Sequence, residues 1–569
     1  MLGFMGEYYV IIIPLIGGLI IGPMIYFLAR EARGHGVPEV INSMVIHGGR
    51  IRPRVAFIKA LASSICIGSG GSAGREGPII QIGSAIGSSI GQLFRFTEER
   101  TKTLVACGAA AGIAATFNAP LGGIFFALEV ILREYGLRNF SSVVLSSVTA
   151  TVISRSFLGD SPAFHLPKFE LYGILDMPFY FVFGLLTAVF AWFFIKVLYK
   201  SEDIFNSLKI PEYIKPGVGG LIIGMTGLYF PQIFGVGYEF IESAIDGGIE
   251  LKIIIILVFL KIFATSVTLG SGGSGGIFAP SLFIGALLGE SFGHLVRLVL
   301  PSTEIPPGAF ALVGMAAVFA GTAQAPISAI LLLFEMTGNY KILPPLMVTC
   351  VISAILVRWM TRYSIYTMKL IRKGIDINKY REVNLMETLT VSDALITNAI
   401  TVLQSATVTS AGLMIKATNH RGFPVLNVEG KLVGIVTRKD INRARSKGML
   451  EEKVGLIMTR DITVCFPDEN LKTALHKMAE RNIGRIPVVK RNDKEHIIGL
   501  ITRKSIISAY NRALAERNRL TILTFTNGIF STLLVCYYTI YTPRSIILNK
   551  RHLQTIDPFV VSPTIHIFL

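Results

Sequence analysis

The chain contains GSGGSAGREGP at residues 68–78 and a near copy of it, GSGGSGGIFAP, at residues 270–280. A second motif follows each copy: GAAAGIAATFNAPLGGIFFALEV begins at residue 108 and GMAAVFAGTAQAPISAILLLFEM begins at residue 314. Two motifs repeated in the same order indicate two related halves. Gly-rich breaks before apolar segments are typical of transporters that hold an ion near the middle of the bilayer. The sequence therefore predicts an ion-conducting membrane protein built from two inverted repeats with broken helices.

The composition places most of the chain in lipid. Of the 569 residues, 51% are hydrophobic and 16% are charged, and the mean hydropathy is +0.58. These values are too apolar for a soluble globular protein of this size. Several apolar runs are long enough to cross a bilayer of about 30 Å; they lie at residues 9–29, 178–199, 251–269 and 343–360. Shorter runs at residues 78–94 and 120–132 predict half-helices that line a cavity, because unpaired backbone groups cannot face lipid. We expect an all-α polytopic domain in the cell membrane.

Other functional classes fit the sequence less well. The net charge of +17 does not indicate nucleic-acid binding, because no known nucleic-acid module accompanies it. The five cysteines are scattered and none of the nine histidines forms HExxH, so we predict neither a metal site nor an intramembrane metalloprotease. A cation transporter would need more carboxylates in its spans. We therefore expect no enzymatic activity, no catalytic residue and no required cofactor.

From about residue 378 polar segments alternate with short β-branched runs, which predicts a soluble α/β region. Within it, GFPVLNVEGKLVGIVTRKDI at residues 422–441 is repeated as GRIPVVKRNDKEHIIGLITRKSII at residues 484–507. The repeated unit resembles a pair of CBS motifs. The run at residues 520–541 is long enough to span a bilayer, but its threonines and lack of helix caps favour a peripheral tail. We predict a membrane domain over residues 1–374, a linker over 375–388, a cytoplasmic CBS pair over 389–510 and a tail with no assigned fold over 511–569.

Four short segments have the residues needed to hold an anion. They are GHGVPEV at residues 34–40, GREGP at 74–78, GGIFAP at 275–280 and the SIYTMKL segment that contains Tyr366. A helix N-terminus offers unpaired N–H groups and a positive dipole end, and glycine allows a dehydrated anion to approach the backbone. Together the segments resemble the chloride channel (ClC) family of anion channels and proton-coupled exchangers, over nearly all of residues 10–370. The resemblance implies a homodimer that transports chloride or a similar small anion through each protomer.

The resemblance assigns the gate of the pore to Glu76. A carboxylate among helix N-termini imitates an anion, so it should compete with the transported halide and withdraw when protonated. The alternative role for Glu76 is an ion pair with Arg75 at the start of a helix. For Tyr366 the alternative to anion binding is an interfacial anchor. The predicted anion-binding residues are His35, Gly36, Arg75, Gly77, Gly276, Ile277, Phe278 and Tyr366.

The chain departs from the family pattern at two positions. His35 replaces the usual serine, so an imidazole either offers its own hydrogen bond to the anion or turns away while backbone groups bind it. Val130 stands where family exchangers carry a second acid that passes protons to the gate, whereas Glu129 recurs as Glu335 in the second half and predicts a structural role at equivalent helix ends. The missing acid favours a voltage- or pH-gated, channel-like conduction of chloride. The alternative is proton-coupled chloride exchange, with water relaying the protons.

Two further expectations concern the ends of the chain. Only one span precedes residue 34, whereas the family has additional helical material there, so we expect a truncated N-terminus. In the CBS pair, Thr437 and Asp440 lie where such modules often bind the phosphates and ribose of ATP or AMP, and Thr502 and Ser505 occupy the same places in the second copy. Serine in place of aspartate weakens the case for binding a diol there. The alternative is a purely structural module that stabilises a dimer.

Overall fold

The structure is a computed structural model that describes residues 8–134, 137–159, 176–246, 250–301, 305–375, 386, 388–418 and 420–515. The chain divides into two compact units, Met1–Ile377 and Asn378–Leu569. The first unit is helical, and the second combines strands and helices. The predicted tail segment at residues 520–541 lies outside the described residues.

Helices follow one another through the described part of the first unit. They are α1 Tyr9–Leu28, α2 Val37–Ile46, α3 Arg54–Gly68, α4 Glu76–Leu93, α5 Glu98–Phe117, α6 Pro120–Phe126, α7 Leu137–Leu158, α8 Met177–Ser207, α9 Lys215–Tyr229, α10 Tyr238–Ile245, α11 Leu251–Gly270, α12 Phe278–Val299, α13 Pro307–Ala323, α14 Pro326–Thr337, α15 Leu343–Met360 and α16 Ile365–Arg372. A π-helical turn, Ala127–Leu132, continues α6. Short helices beside long ones confirm the predicted broken-helix architecture.

Six helical segments among the described residues are long and apolar enough to cross a membrane. These segments are Tyr9–Leu28, Asn139–Leu158, Met177–Ser207, Leu251–Gly270, Phe278–Val299 and Tyr340–Arg372. Large apolar side chains are exposed on several of them, including Phe27, Leu145 and Phe157. Exposed apolar side chains on helices of this length fit a lipid-facing surface, because lipid rather than water surrounds them.

The two halves of the membrane domain use the same helix crossing. A Cβ added to Gly83 of α4 would lie 2.1 Å from the carbonyl oxygen of Gly108 of α5. In the second half, a Cβ added to Gly285 of α12 would lie 2.1 Å from the carbonyl oxygen of Gly314 of α13. Each crossing depends on glycine because any side chain would push the backbones apart. The structure thus repeats the packing that the duplicated sequence predicts.

The halves also cap each other's helices. The Glu335 carboxylate accepts hydrogen bonds from the backbone N–H groups of Leu121 (2.9 Å) and Gly122 (2.8 Å) at the start of α6. The Glu129 carboxylate accepts hydrogen bonds from the N–H of Ser328 (2.8 Å) and its Oγ (2.6 Å) at the start of α14. Carboxylates at helix N-termini satisfy free N–H groups and the helix dipole. The predicted structural role of both glutamates at equivalent helix ends is confirmed.

The second unit contains two similar α/β motifs. The first motif has strands β1 Val402–Leu403, β2 Gly422–Leu426 and β3 Leu432–Thr437, with β1 parallel and β3 antiparallel to β2. The second has the antiparallel pair β4 Arg485–Lys490 and β5 Asp493–Thr502. The helices are α17 Val408–Thr418, α18 Arg438–Ser446, α19 Val454–Ile457, α20 Leu471–Glu480 and α21 at residues 503–515. Arg485 donates a hydrogen bond to the carbonyl oxygen of Gly422, which joins the two motifs.

Candidate functional site

The Gly-rich loops of the two halves meet in the interior of the membrane domain. The N–H of Gly74 donates to the carbonyl of Gly276 (2.8 Å), and the N–H of Gly276 donates back to the carbonyl of Gly74 (2.5 Å). The N–H of Gly34 donates to the carbonyl of Gly273 (2.9 Å). These bonds join the loops that lead into α2, α4 and α12. Three helix N-termini therefore share one location.

The approach of these loops requires glycine. A Cβ on Gly77 would lie 2.3 Å from the carbonyl oxygen of His35, and a Cβ on Gly276 would lie 2.7 Å from the nitrogen of Gly77. Gly36 has φ +81°, a left-handed conformation that side chains disfavour. The structure brings together four residues of the predicted anion site, His35, Gly36, Gly77 and Gly276. Backbone atoms at helix starts form this part of the site, as the anion-binding hypothesis requires.

Glu76 places its carboxylate among these helix starts. Its side chain is 0% exposed, and Oε2 lies 2.1 Å from where a Cβ on Gly74 would be. Oε2 accepts a long hydrogen bond from the N–H of Ala279 in the first turn of α12 (3.4 Å), and Oε1 accepts a short one from the hydroxyl of Tyr238 (2.6 Å). The carboxylate thus lies at the start of α12, where a helix favours negative charge. Its assignment as the gate stays a prediction.

His35 and Tyr366 lie beside each other in the same buried region. Their ring centroids are 5.8 Å apart, and both side chains are buried. Nδ1 of His35 has no hydrogen-bond partner among the described residues. The ammonium groups of Lys369, Lys59 and Lys373 all act electrostatically on the His35 ring. A buried ring atom without a partner, in a positive environment, fits the predicted contact with an anion.

The remaining predicted anion-site residues divide into two sets. Ile277 and Phe278 are each 2% exposed at the start of α12, and the Phe278 ring packs 4.2 Å from that of Phe319 between centroids. Arg75 is exposed, and its guanidinium lies 5.7 Å from the centroid of the Tyr238 ring. The structure therefore separates Arg75 from the buried set and places it beside Tyr238. It contains no ion pair between Arg75 and Glu76 among the described contacts.

Val130 occupies the π-helical turn after α6. It is 6% exposed and belongs to the buried apolar cluster that also contains Phe126, Phe278 and Tyr366. No charged side chain can therefore act at this position.

A cavity of about 230 Å³ lies next to the loop that carries His35. Its charged lining includes Arg33, Glu39, Glu202, Glu212, Lys369 and Lys373. Lys369 also reaches the loop, because its Nζ donates to the carbonyl of Arg33 (3.4 Å), and Glu39 pairs with both Lys373 (2.7 Å) and Lys369 (3.4 Å). The cavity thus places charged side chains next to the loop that carries His35. Among the described residues no group of three or more His, Cys, Asp or Glu could hold a metal ion.

Three residues of this site were not predicted from the sequence: Tyr238, Lys59 and Lys261. Lys59 donates to the carbonyls of residues 32 (2.9 Å) and 34 (2.7 Å), and Lys261 to those of residues 233 (3.1 Å) and 235 (3.0 Å). Both lysines precede a GSGG motif by the same interval, 59 to 68 and 261 to 270. GHGV at residues 34–37 recurs as GVGY at residues 235–238. These two sequence repeats are the signals from which the three residues could have been predicted.

The predicted nucleotide-site residues of the second unit form helix caps. Asp440 Oδ2 accepts from the N–H (2.9 Å) and the Oγ1 (2.6 Å) of Thr437 at the start of α18. At the start of α21, Ser505 Oγ accepts from the N–H of Thr502 (3.0 Å), and Thr502 Oγ1 accepts from the N–H of Ser505 (3.0 Å). The structure brings each pair together at equivalent places. Whether either pair binds a nucleotide stays a prediction.

Comparison with known proteins decides the family. Residues 17–358, more than half of the chain, match the family described as "Voltage gated chloride channel", and residues 391–447 and 454–512 match the CBS domain. The chain belongs to the voltage-gated chloride channel family. A family of membrane transport proteins accounts for the helices of spanning length, and it is not a family of enzymes. The resemblance deduced from the motifs is confirmed, and so is the CBS pair.

Individual relatives extend this comparison. The chain is 34% identical over 375 residues to the H(+)/Cl(-) exchange transporter ClcA of Vibrio parahaemolyticus, covering 64% of this chain and 79% of the relative. Among solved structures it is similar to a slow cyanobacterial Cl-/H+ antiporter, with TM-score 0.59, 29% identity and coverage of 64% of this chain and 86% of that one. A eukaryotic CLC transporter, at TM-score 0.55 and 22% identity, covers 87% of this chain and 89% of its own and shows the same fold. The fold class predicted from the sequence is confirmed, and anion transport is the supported class of function.

Proposed function

We propose that this protein exchanges chloride for protons across a cell membrane, with Glu76 as the group that both blocks the anion path and carries the proton. The observation that carries the proposal is the position of the Glu76 carboxylate, which is fully buried at the shared location of three helix N-termini. An ionised carboxylate there occupies the place of an anion. A protonated one loses that attraction and leaves room for chloride.

Exchange is favoured over the channel-like conduction that Val130 suggested. The relatives named above are an H(+)/Cl(-) exchange transporter and a Cl-/H+ antiporter. The apolar environment of Val130 removes one inner route for protons, but the cavity beside His35 supplies a charged alternative lined by Glu39 and Glu202. Water in such a cavity can pass protons without a side chain at residue 130. We therefore assign the inner proton route to this cavity.

The test is a coupled flux measurement in liposomes. Purified protein is reconstituted into chloride-loaded vesicles with a potassium ionophore, and chloride efflux and external pH are recorded together. We expect chloride efflux to drive protons against their own gradient. Chloride efflux without proton movement would instead establish passive conduction.

Glu76→Gln is the matched variant for this measurement. Glutamine keeps the shape of the side chain but cannot carry a proton, so we expect chloride flux to continue and proton flux to fall to that of empty vesicles. Chloride flux should also lose its dependence on pH. Proton transport that persists in this variant would exclude Glu76 as the proton carrier.

Two further features complete the proposal. Following the family, we place the protein in a homodimer with one anion path in each protomer and with its CBS pair in the cytoplasm. We propose that the CBS pair binds ATP or AMP through Thr437 and Asp440, two side chains that the structure brings together at the start of α18. Calorimetric titration of the full chain with each nucleotide tests this; no heat at millimolar ligand, or heat unchanged in Asp440→Asn, would contradict it.

A further inference from the structure

Tyr238 is the residue that holds the gate carboxylate most closely among the described contacts of Glu76. Its hydroxyl donates to Glu76 Oε1 over 2.6 Å, whereas the N–H of Ala279 donates to Oε2 over 3.4 Å. A bond of 2.6 Å from a hydroxyl to a carboxylate is in the range of charge-assisted hydrogen bonds, which are about twice as strong as neutral ones. Glu76 cannot leave its position without breaking this bond.

The fold fixes Tyr238 firmly enough to serve this role. Tyr238 is the first residue of α10, directly after Gly237, whose φ of +83° only glycine adopts readily. The loop before it is held by Lys261, which is 0% exposed and donates to the carbonyls of residues 233 (3.1 Å) and 235 (3.0 Å). The backbone that carries the phenol is therefore fixed by α10 and by Lys261 of α11.

We propose that Tyr238 is a latch that stabilises the ionised, blocking state of Glu76 and so sets the pH at which the anion path opens. This proposal rests on the gating role proposed above for Glu76. The ionised carboxylate accepts the phenol hydrogen bond, and protonation removes the charge that makes the bond strong. The latch therefore opposes protonation, and its loss makes the gate open at higher pH.

The other groups that face Glu76 do not replace the latch. Arg75, directly before α4, is exposed and lies over the Tyr238 ring, from where its charge acts on Glu76 without a hydrogen bond among the described contacts. Tyr366 on α16 interacts with Glu76 electrostatically, but its nearest ring partner among the described contacts is His35, at 5.8 Å between centroids. From α12 the contact is the backbone N–H of Ala279. Of these elements, α10 alone supplies a side-chain donor at hydrogen-bonding distance in the described residues.

The test is the pH dependence of chloride flux in liposomes for Tyr238→Phe, which removes the hydroxyl and keeps the ring. We expect the pH of half-maximal flux to rise by about 1 unit, a tenfold change in the proton concentration needed for opening. Tyr180→Phe is the control for the loss of a buried hydroxyl elsewhere, since Tyr180 is 2% exposed and stacks on Phe310. This control should keep the wild-type profile. An unchanged profile in Tyr238→Phe would overturn the proposal.

A double variant separates a latch from a general structural effect. In Glu76→Ala the acceptor is gone, so adding Tyr238→Phe should leave chloride flux unchanged; an equal change in both backgrounds would overturn the proposal. If Tyr238→Phe does not fold, 3-fluorotyrosine at residue 238 keeps the shape with a stronger donor and should move the profile to lower pH, while a shift to higher pH would refute the latch. Chloride flux alone reports these effects. Chloride flux without coupled protons would thus refute exchange and still test the latch.

Discussion

The two halves of the membrane domain share a scaffold and differ in the side chains placed on it. GHG at residues 34–36 and GVG at residues 235–237 each precede a short helix, and each loop is held by a fully buried lysine, Lys59 or Lys261. The glycines before α2 and α10 both have positive φ, +81° and +83°, but their ψ values differ, at −49° and +27°. The two halves therefore share the order of their loops and helices and the buried lysine, but not every backbone angle.

Several residues of the candidate site lie at positions where the two halves differ in sequence. The loop of the first half carries His35 where the second has Val236, and the short helix begins with Val37 in the first half and Tyr238 in the second. The long helix that follows each Gly-rich motif begins with Glu76 or with Phe278. The proposed exchange needs one gate and one anion path, not two. These sequence differences would give the two halves different functions on the same helical scaffold.

The largest effect is expected from breaking the shared helix crossing. Gly83→Ala and Gly285→Ala each place a Cβ about 2.1 Å from a carbonyl oxygen of the facing helix, and such overpacking costs about 3 kcal/mol of folding free energy. We expect a large fall in the apparent melting temperature of the detergent-solubilised protein for both variants. The fall should be similar in the two halves, because the crossings have the same geometry.

Gly68→Ala is the control for these two variants. Gly68 is the last residue of α3, and a Cβ there would meet no atom within 4 Å. We expect no loss of stability, since alanine in an unstrained helix reduces the entropy of the unfolded chain. A crossing variant that melts like Gly68→Ala would show that the helices can separate without cost and that the repeat does not depend on glycine.

The next effect separates the functions of the two buried lysines. Lys59→Met removes the shared donor of the two carbonyls under the His35 loop, which keep only the Ser274 hydroxyl (3.0 Å) and the Gly275 N–H (3.3 Å). Lys261→Met removes the one donor described for the carbonyls under the Tyr238 loop. An unsatisfied buried acceptor costs about 1–3 kcal/mol, enough to displace a loop. We expect Lys59→Met to weaken chloride binding about tenfold by calorimetry, which corresponds to about 1.4 kcal/mol. Lys261→Met should chiefly change the pH profile of chloride flux.

If the two lysine variants behave alike, the two loops do not have separate functions. A shift of the pH profile in Lys59→Met, or a loss of chloride affinity in Lys261→Met equal to that in Lys59→Met, would mean that both loops serve one site. The melting temperatures of the two variants show how much of each functional change comes from a loss of stability. Replacing a buried charge by an apolar side chain also removes a desolvation penalty, so the stability of both variants should change less than their function.

The sequence predicted the features that contiguous motifs encode, and it missed contacts between residues that are far apart in the chain. The Gly-rich loops, Glu76 and the spans at residues 251–269 and 343–360 were readable because each is a contiguous pattern, and the structure has helices there. The hydrogen bond from Tyr238 to Glu76 joins residues 162 positions apart, and no contiguous motif contains both. Arg75 belongs to the GREGP motif, yet its side chain is exposed and lies over the Tyr238 ring instead of joining the buried residues, because adjacent residues diverge around a helix start.

The smallest effect is expected from the two glutamates that cap helices of the opposite half, and it tests whether the two caps contribute equally to stability. Glu335→Gln keeps one acceptor oxygen for the N–H groups of Leu121 and Gly122 but loses the charge, which lowers stability by about 1 kcal/mol. Glu129→Gln should cost slightly more, because Glu129 also accepts the hydroxyl of Ser328 over 2.6 Å. Apparent melting temperatures of the detergent-solubilised variants measure both costs. In a Ser328→Ala background the hydroxyl is gone, and we expect the two glutamine variants to agree within about 0.5 kcal/mol. A persistent difference would show that the halves have diverged in their scaffold as well as in their site.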